Sequence, residues 1–244
     1  MNLETFLSKN QISLPQKTHA LCKEAIQTMK KSRDLLHKDN HIFRLLDSLD
    51  KLLEKDQKLD KSQIDIEVLL LSICWHDAWR AKRVPRNYFL MFFDDLFEGI
   101  GSMFMFAKSA KEANLSKNLA NQVKYAIRKH SRFQILPIKT TEAKILSDVD
   151  YLDLFSMERA NTLKRKYLSN PKKINLKLLK LAKFYFDHFL ARIKASTFYY
   201  QWSKSEFMRR REILVNEVNN LVSKYCHLAQ RGPLTKNLSK ILPD

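Results

Sequence analysis

Apolar positions recur along this chain with helical spacing. Residues 17–36 and 40–56 both read as amphipathic helices, and in the second Ile42, Leu45, Leu49, Leu52 and Leu53 form the apolar stripe. Asn40 stands where a helix cap is expected, just before His41. From Ile64 to Trp75 the segment IDIEVLLLSICW is apolar on nearly every side, which predicts a helix in the middle of a bundle with His76 and Asp77 at its end. Residues 86–112 are rich in Phe and Met but interrupted by Gly99-Ile100-Gly101, so two helices with a bend between them are expected. A polar helix over 116–130 turns Val123, Ala126 and Ile127 to one side, and His130 continues that stripe. After a loop containing Pro137 comes a further helix near 140–155. Pro171 marks a break, and 174–200 and 204–226 predict two long basic helices.

Composition sharpens this pattern into a fold class. The 244 residues include only 3 Gly and 6 Pro, too few tight turns for a many-stranded sheet, so the expectation is an all-α helical bundle. The predicted organisation is a helical core over 17–168 that holds the polar site, basic C-terminal helices over 172–226 packed on it, and a loosely held tail over 227–244. Cys22, Cys74 and Cys226 are odd in number and far apart, which suits a reducing compartment. No apolar run approaches the roughly 20 residues that span a bilayer. A soluble cytoplasmic protein with no membrane partner is expected.

Charge changes the picture for partners. The formal net charge is +18, of which +13 falls in residues 161–244, where 18 Lys and Arg face 5 Asp and Glu. Such a segment attracts nucleic acid, phosphorylated metabolites or an anionic membrane surface; equally, it is an ordinary solvated surface in a basic proteome.

The candidate chemistry starts at His76-Asp77. An imidazole and a carboxylate at the end of an otherwise apolar helix are costly to bury without a compensating charge, and a divalent cation is one such charge. Helical phase nominates the remaining ligands. His41 shares a face with Arg44, Leu45, Ser48 and Leu52, while the inward register Ala143, Leu146, Asp150 favours Asp150 over Asp148. His41, His76, Asp77 and Asp150 together offer two nitrogen and two oxygen donors. That set suits octahedral Mn, Fe, Co, Ni or Mg better than a closed structural zinc. Around it, His130 is a candidate proton donor or phosphate contact, with a hydrogen-bonded core histidine as the bland alternative. Arg80, one turn after His76, is a candidate phosphate contact, and Asp77 is both ligand and catalytic candidate. Lys129 reads as a surface ion-pair former, and Asp94, Asp95 and Glu98 as solvent-facing or supporting groups. His19, His37, His188 and His227 show no assembled partners. Phe198, Tyr199, Tyr200 and Trp202 read as packing between the last two helices before base stacking.

The order H-x-x-R at His41–Arg44, His76-Asp77, His130, then D-x-D-x-x-D at Asp148, Asp150 and Asp153 resembles the HD-domain superfamily of metal-dependent phosphohydrolases. The segment TTEAKILSDVDYLDLF is especially similar to the bacterial YedJ-like branch, and FDHFLARI at 186–193 with MRRREIL at 208–214 resembles its closing helices. The likeness thus covers roughly residues 38–225. It departs at Ala78-Trp79, where the family often has Ile-Gly. The resemblance implies an HD-domain helical bundle with additional C-terminal helices, with His41, His76, Asp77 and Asp150 as metal ligands. It also implies an enzyme that hydrolyses a phosphate ester or nucleotide phosphate with a metal-activated water. A different class of function is an HD-fold binding module that recognises nucleic acid or an acidic partner through its basic C-terminal third. A third is a purely structural bundle.

Overall fold

A computed structural model describes residues 1–82, 88–130, 137–168, 183–184, 186–188 and 190–231. The described residues are helical, with no strand among them. The chain divides into two compact units: unit 1 comprises Met1–Leu154 and Ala195–Glu206, and unit 2 comprises Phe155–Lys194 and Phe207–Asp244.

Unit 1 contains α1 (Leu3–Lys9), α2 (Gln16–Lys30), α3 (Asp39–Lys55), α4 (Ile66–Trp75), α5 (Ala78–Lys82), α6 (Tyr88–Glu112), α7 (Lys117–Lys129) and α8 (Thr141–Asp153). Helix α4 is central because it is apolar all round: every residue from Val68 to Trp75 is buried, and the helix packs against α2, α3, α6, α7 and α8. Asp65 starts it by accepting the backbone N–H groups of Glu67 and Val68, both at 3.1 Å. Ser116 and Thr140 cap α7 and α8 in the same way, through Leu119 and Ala143. Trp75 closes the core by donating its indole N–H to the Leu21 carbonyl at 3.1 Å.

Several expectations need correction. Helix α1 lies ahead of the first predicted helix; its inward face is only Leu3, Phe6 and Leu7, too short a stripe to stand out as periodicity. Helix α3 begins at Asp39 after Lys38, so Asn40 lies inside it and is not its cap. Helix α6 runs without a break through Gly99 and Gly101. These glycines serve close approach instead of a bend. A Cβ on Gly99 would lie 3.2 Å from the Ile127 carbonyl oxygen, and one on Gly101 would lie 2.6 Å from Cγ of the Trp79 ring.

The described part of the predicted helix 174–200 is interrupted. Short 3₁₀ turns occupy Leu190–Arg192 and Ala195–Thr197, and the last helix, α10, spans Gln201–Arg231 after α9 (Met157–Leu168). Residues 195–206 are held in unit 1 by two carboxylates. Asp148 accepts the backbone N–H groups of Tyr199 and Tyr200 at 2.9 and 3.0 Å, and Asp56 accepts that of Trp202 at 2.8 Å. Phe198 is buried there, and Tyr200 and Trp202 pack on the core of unit 1 and not between the last two helices, while Tyr199 is 42% exposed. In unit 2, Ser156 accepts the N–H of Arg159 at 3.2 Å at the start of α9, and the Phe155 and Phe207 rings meet edge to face at 5.0 Å. Residues 232–244, most of the predicted tail, lie outside the described residues, whereas 227–231 belong to α10.

Candidate metal centre

Three helices bring the site together. His41 sits in the first turn of α3, His76 and Asp77 follow the last turn of α4, and Asp150 faces inward from α8. One oxygen or nitrogen of each lies within 4.8 Å of the others, and all four residues are buried. The four residues nominated by helical phase therefore do converge.

Hydrogen bonding orients both imidazoles. His41 Nδ1 lies 2.8 Å from Asp153 Oδ2, and His76 Nδ1 lies 2.8 Å from the Ile73 carbonyl oxygen. A carbonyl can only accept, and a carboxylate accepts when ionised, so both Nδ1 atoms carry the proton. In the neutral rings both Nε2 atoms then present lone pairs. These two atoms face each other at 3.1 Å. Asp77 Oδ2 is 3.2 Å from the first and 3.4 Å from the second, and Asp150 Oδ1 is 3.5 and 3.7 Å from them. Four electron-pair donors crowded this closely repel one another unless positive charge lies among them.

The electrostatics state the same demand. Burial alone would lower the pKa of His41, but the charge of Asp153 and hydrogen bonds with Asp150, Asp153 and Asp77 push it up to about 10. His76 is likewise raised well above its usual value; burial opposes the shift, and the charge of Asp77 and contacts with Asp150 overcome it. Against the opposing effect of burial, the neighbouring histidines hold Asp77 and Asp150 well below the carboxylate range. Without a cation the cluster draws a proton to its imidazoles, and a divalent ion could satisfy the same four atoms.

Supporting groups surround this cluster. Asp153 accepts from Arg44 as well as His41, with Arg44 Nε at 2.6 Å and Nη2 at 2.9 Å, so the H-x-x-R motif is a device for locking His41 through a shared carboxylate. Against burial, Arg44 and His41 keep Asp153 far below the ordinary range. His130, at the end of α7, points its Nδ1 at the Ile127 carbonyl and its Nε2 toward Asp77 Oδ1 at 3.6 Å. Its ring meets His76 edge to face at 5.0 Å. Arg80 is bound to Glu98 through Nη2–Oε2 at 2.8 Å and a shorter Nε–Oε1 contact. Glu98 is buried and not solvent-facing; burial and the charge of Asp77 push its pKa well up, opposed by Arg80. Glu98 and His130 also share a close group with Asp77, so the polar site extends beyond the four donors. Lys129 is buried as well, contrary to the surface role expected for it. The side chains of Asp94 and Asp95 fall outside the described residues.

His37, for which the sequence offered no partner, belongs to the site. Its Nδ1 lies 2.7 Å from Asp34 Oδ2, its Nε2 is 3.8 Å from Asp77 Oδ2, and its ring stands edge-on to His41 at 5.4 Å. Asp34 is fixed in turn by the N–H of Leu36 at 2.9 Å, and its own N–H donates to Ser32 Oγ at 3.1 Å. Although burial opposes it, His37 and then Leu36 and Arg80 hold the Asp34 carboxyl low. This turn precedes α3, so helical phase had no purchase on it. The only visible signal was a histidine four residues before His41.

A family model described as HD-CE matches residues 21–179. This chain belongs to the HD-CE family. HD-CE is an HD-type domain, so the HD likeness read from the motifs holds, and the matched span contains His41, His76, Asp77, His130 and Asp150. It ends before α10, so the likeness of 186–193 and 208–214 to closing helices is not part of the HD-CE match. Comparison with curated proteins and with solved structures gives no match. No helix among the described residues of this HD-CE protein is long and apolar enough to cross a membrane.

Proposed function

We propose that this HD-CE protein is a metal-dependent phosphohydrolase acting on a phosphate ester or nucleotide phosphate. The observation that carries this reading is the convergence of four buried donor atoms, two of them imidazole nitrogens facing each other at 3.1 Å. His41, His76, Asp77 and Asp150 would hold a divalent cation of the Mn, Fe, Co, Ni or Mg class, and the mixed N/O set fits such an ion. The chemistry supplied by a bound cation is Lewis acidity beside the phosphate and a lowered pKa for water. The YedJ-like motif over 140–155 supports the same reading.

The chain's own residues divide the remaining work. Asp153 and Arg44 hold the His41 ring in one tautomer, and the Ile73 carbonyl does the same for His76. Asp77 orients toward the shared centre while His130 and His37 flank its two oxygens. His130 Nε2 carries a proton to the leaving oxygen as the ester bond breaks. Arg80, anchored by Glu98, sets positive charge near Asp34 and Asp77 and thereby favours an anionic substrate.

The test is metal content of the purified protein together with turnover of a chromogenic phosphate ester and a nucleotide panel in Mn, Co, Ni and Mg. Turnover should vanish in His76→Ala and Asp77→Ala. Undiminished activity in both variants, or wild-type protein that neither holds metal nor turns over any phosphate ester, defeats the proposal.

A further inference from the structure

Unit 2 is where the charge of this protein resides. It carries 18 of the 44 Lys and Arg residues but only 5 of the 26 Asp and Glu, a net +13, leaving +5 on unit 1. Unit 2 begins at Phe155 and leaves out residues 195–206, so its bounds differ from those of the basic segment 161–244, although the net charge is the same. With so few acids, internal ion pairs cannot neutralise the unit. Two of the acids are already committed, Glu217 to Lys164 at 2.8 Å and Asp187 to Lys183 at 2.6 Å. Arg165, Arg192, Lys194, Arg209 and Lys224 are exposed.

A second observation points to the chemistry of the partner. Phe184 is 52% exposed, and its ring lies nearly parallel to that of His188, with centroids 4.0 Å apart and an interplanar angle of 22°. His188 Nδ1 donates to the Phe184 carbonyl at 3.0 Å, so the pair is fixed by two contacts. A core aromatic hides both faces; this ring covers one face with His188 and stays half exposed, next in sequence to Lys183. Flat aromatic surfaces amid excess positive charge are what unpaired bases and their phosphates require together. A lipid surface or an acidic protein would use the charge but not the flat stack.

We infer that unit 2 binds single-stranded nucleic acid, with Lys and Arg side chains on the phosphates and Phe184 stacked against a base. This binding is separate from the proposed hydrolysis and does not depend on the metal centre.

The test uses the full-length protein with EDTA present and a fluorescently labelled oligothymidylate or oligouridylate, read by anisotropy across a potassium chloride series. The logarithm of the association constant should fall steeply with the logarithm of salt. Replacing Arg165, Arg192, Lys194 and Lys224 together by Gln should make that slope shallower by roughly 3, at about 0.7 for each single-strand phosphate that is no longer neutralised. Phe184→Ala should weaken binding roughly tenfold with little change in slope. Replacing the exposed Lys51, Lys58, Lys61 and Lys117 of unit 1 by Gln should leave affinity nearly unchanged, and so should His76→Ala. Equal weakening from both sets of replacements would reduce the effect to overall charge and overturn the inference. Weakening in His76→Ala would move the binding to the metal centre and overturn it too. Binding to phosphatidylglycerol vesicles but not to the oligonucleotide would assign the surface to lipid.

Discussion

Binding of a divalent cation to this HD-CE protein should expel the proton that His41 and His76 share, and the extent of that exchange measures the electrostatics of the site. In the cation-free protein the His41 pKa stands at about 10 against an ordinary 6.5, with the carboxylates of Asp153, Asp150 and Asp77 outweighing burial. A shift of that size corresponds to about 5 kcal/mol favouring the protonated ring. The sign follows: a raised folded-state pKa stabilises the metal-free fold fully below pH 6.5, and that stability is lost as pH rises through 10. His76 is shifted in the same direction, but its Nε2 faces that of His41 at 3.1 Å, so the pair shares one extra proton between the two Nε2 atoms in the metal-free protein at neutral pH. A cation ligated by the same Nε2 atoms must displace that proton.

Titration calorimetry of EDTA-treated protein with Mn²⁺, in buffers of different ionisation heat, should therefore report release of about one proton near pH 7. Over roughly pH 6 to 8 the apparent affinity should climb about tenfold per pH unit. Release near zero, with affinity flat in pH, would mean that the rings are neutral without a cation and that the carboxylates do not outweigh burial.

Asp153→Asn should weaken metal affinity roughly 10- to 100-fold by freeing the His41 ring, while leaving the helical content seen by circular dichroism unchanged. His37→Ala should lower kcat/KM roughly 10-fold or more while metal content stays stoichiometric; unchanged turnover would make the Asp34–His37 pair purely structural. Gly101→Ala, which in an open helix would stabilise by about 1 kcal/mol, should instead cost on the order of 1–3 kcal/mol because the new methyl meets the Trp79 ring, as read from denaturant midpoints. Burial pushes the Asp148 pKa up to about 6, with the Tyr199 and Tyr200 amides opposing, so wild-type stability should fall as pH rises from about 4 to 6. Asp148→Asn should flatten that dependence, and an unaltered pH profile would show that another group causes it.

The helical class and the four donor residues were legible before any packing was known. Apolar spacing is a local property, and a helix fixes which side chains share a face: His41 with Arg44, and Asp150 ahead of Asp148, follow from that geometry alone. The asymmetry of charge was equally legible, since it needs only counting. Whatever depends on a neighbour distant along the chain had to wait for the packed molecule. Helix α6 continues through Gly99 and Gly101, which are glycines because the backbone of α7 and the Trp79 ring leave no room for a Cβ, not because the helix ends there. Asp148 receives the amides of Tyr199 and Tyr200 from about fifty residues away. His37 reaches Asp77 from a turn outside any helix, where periodicity carries no information about direction. The Nε2 atoms of His41 and His76 likewise meet only once α3 and α4 are packed, because their separation is a distance that no single element contains.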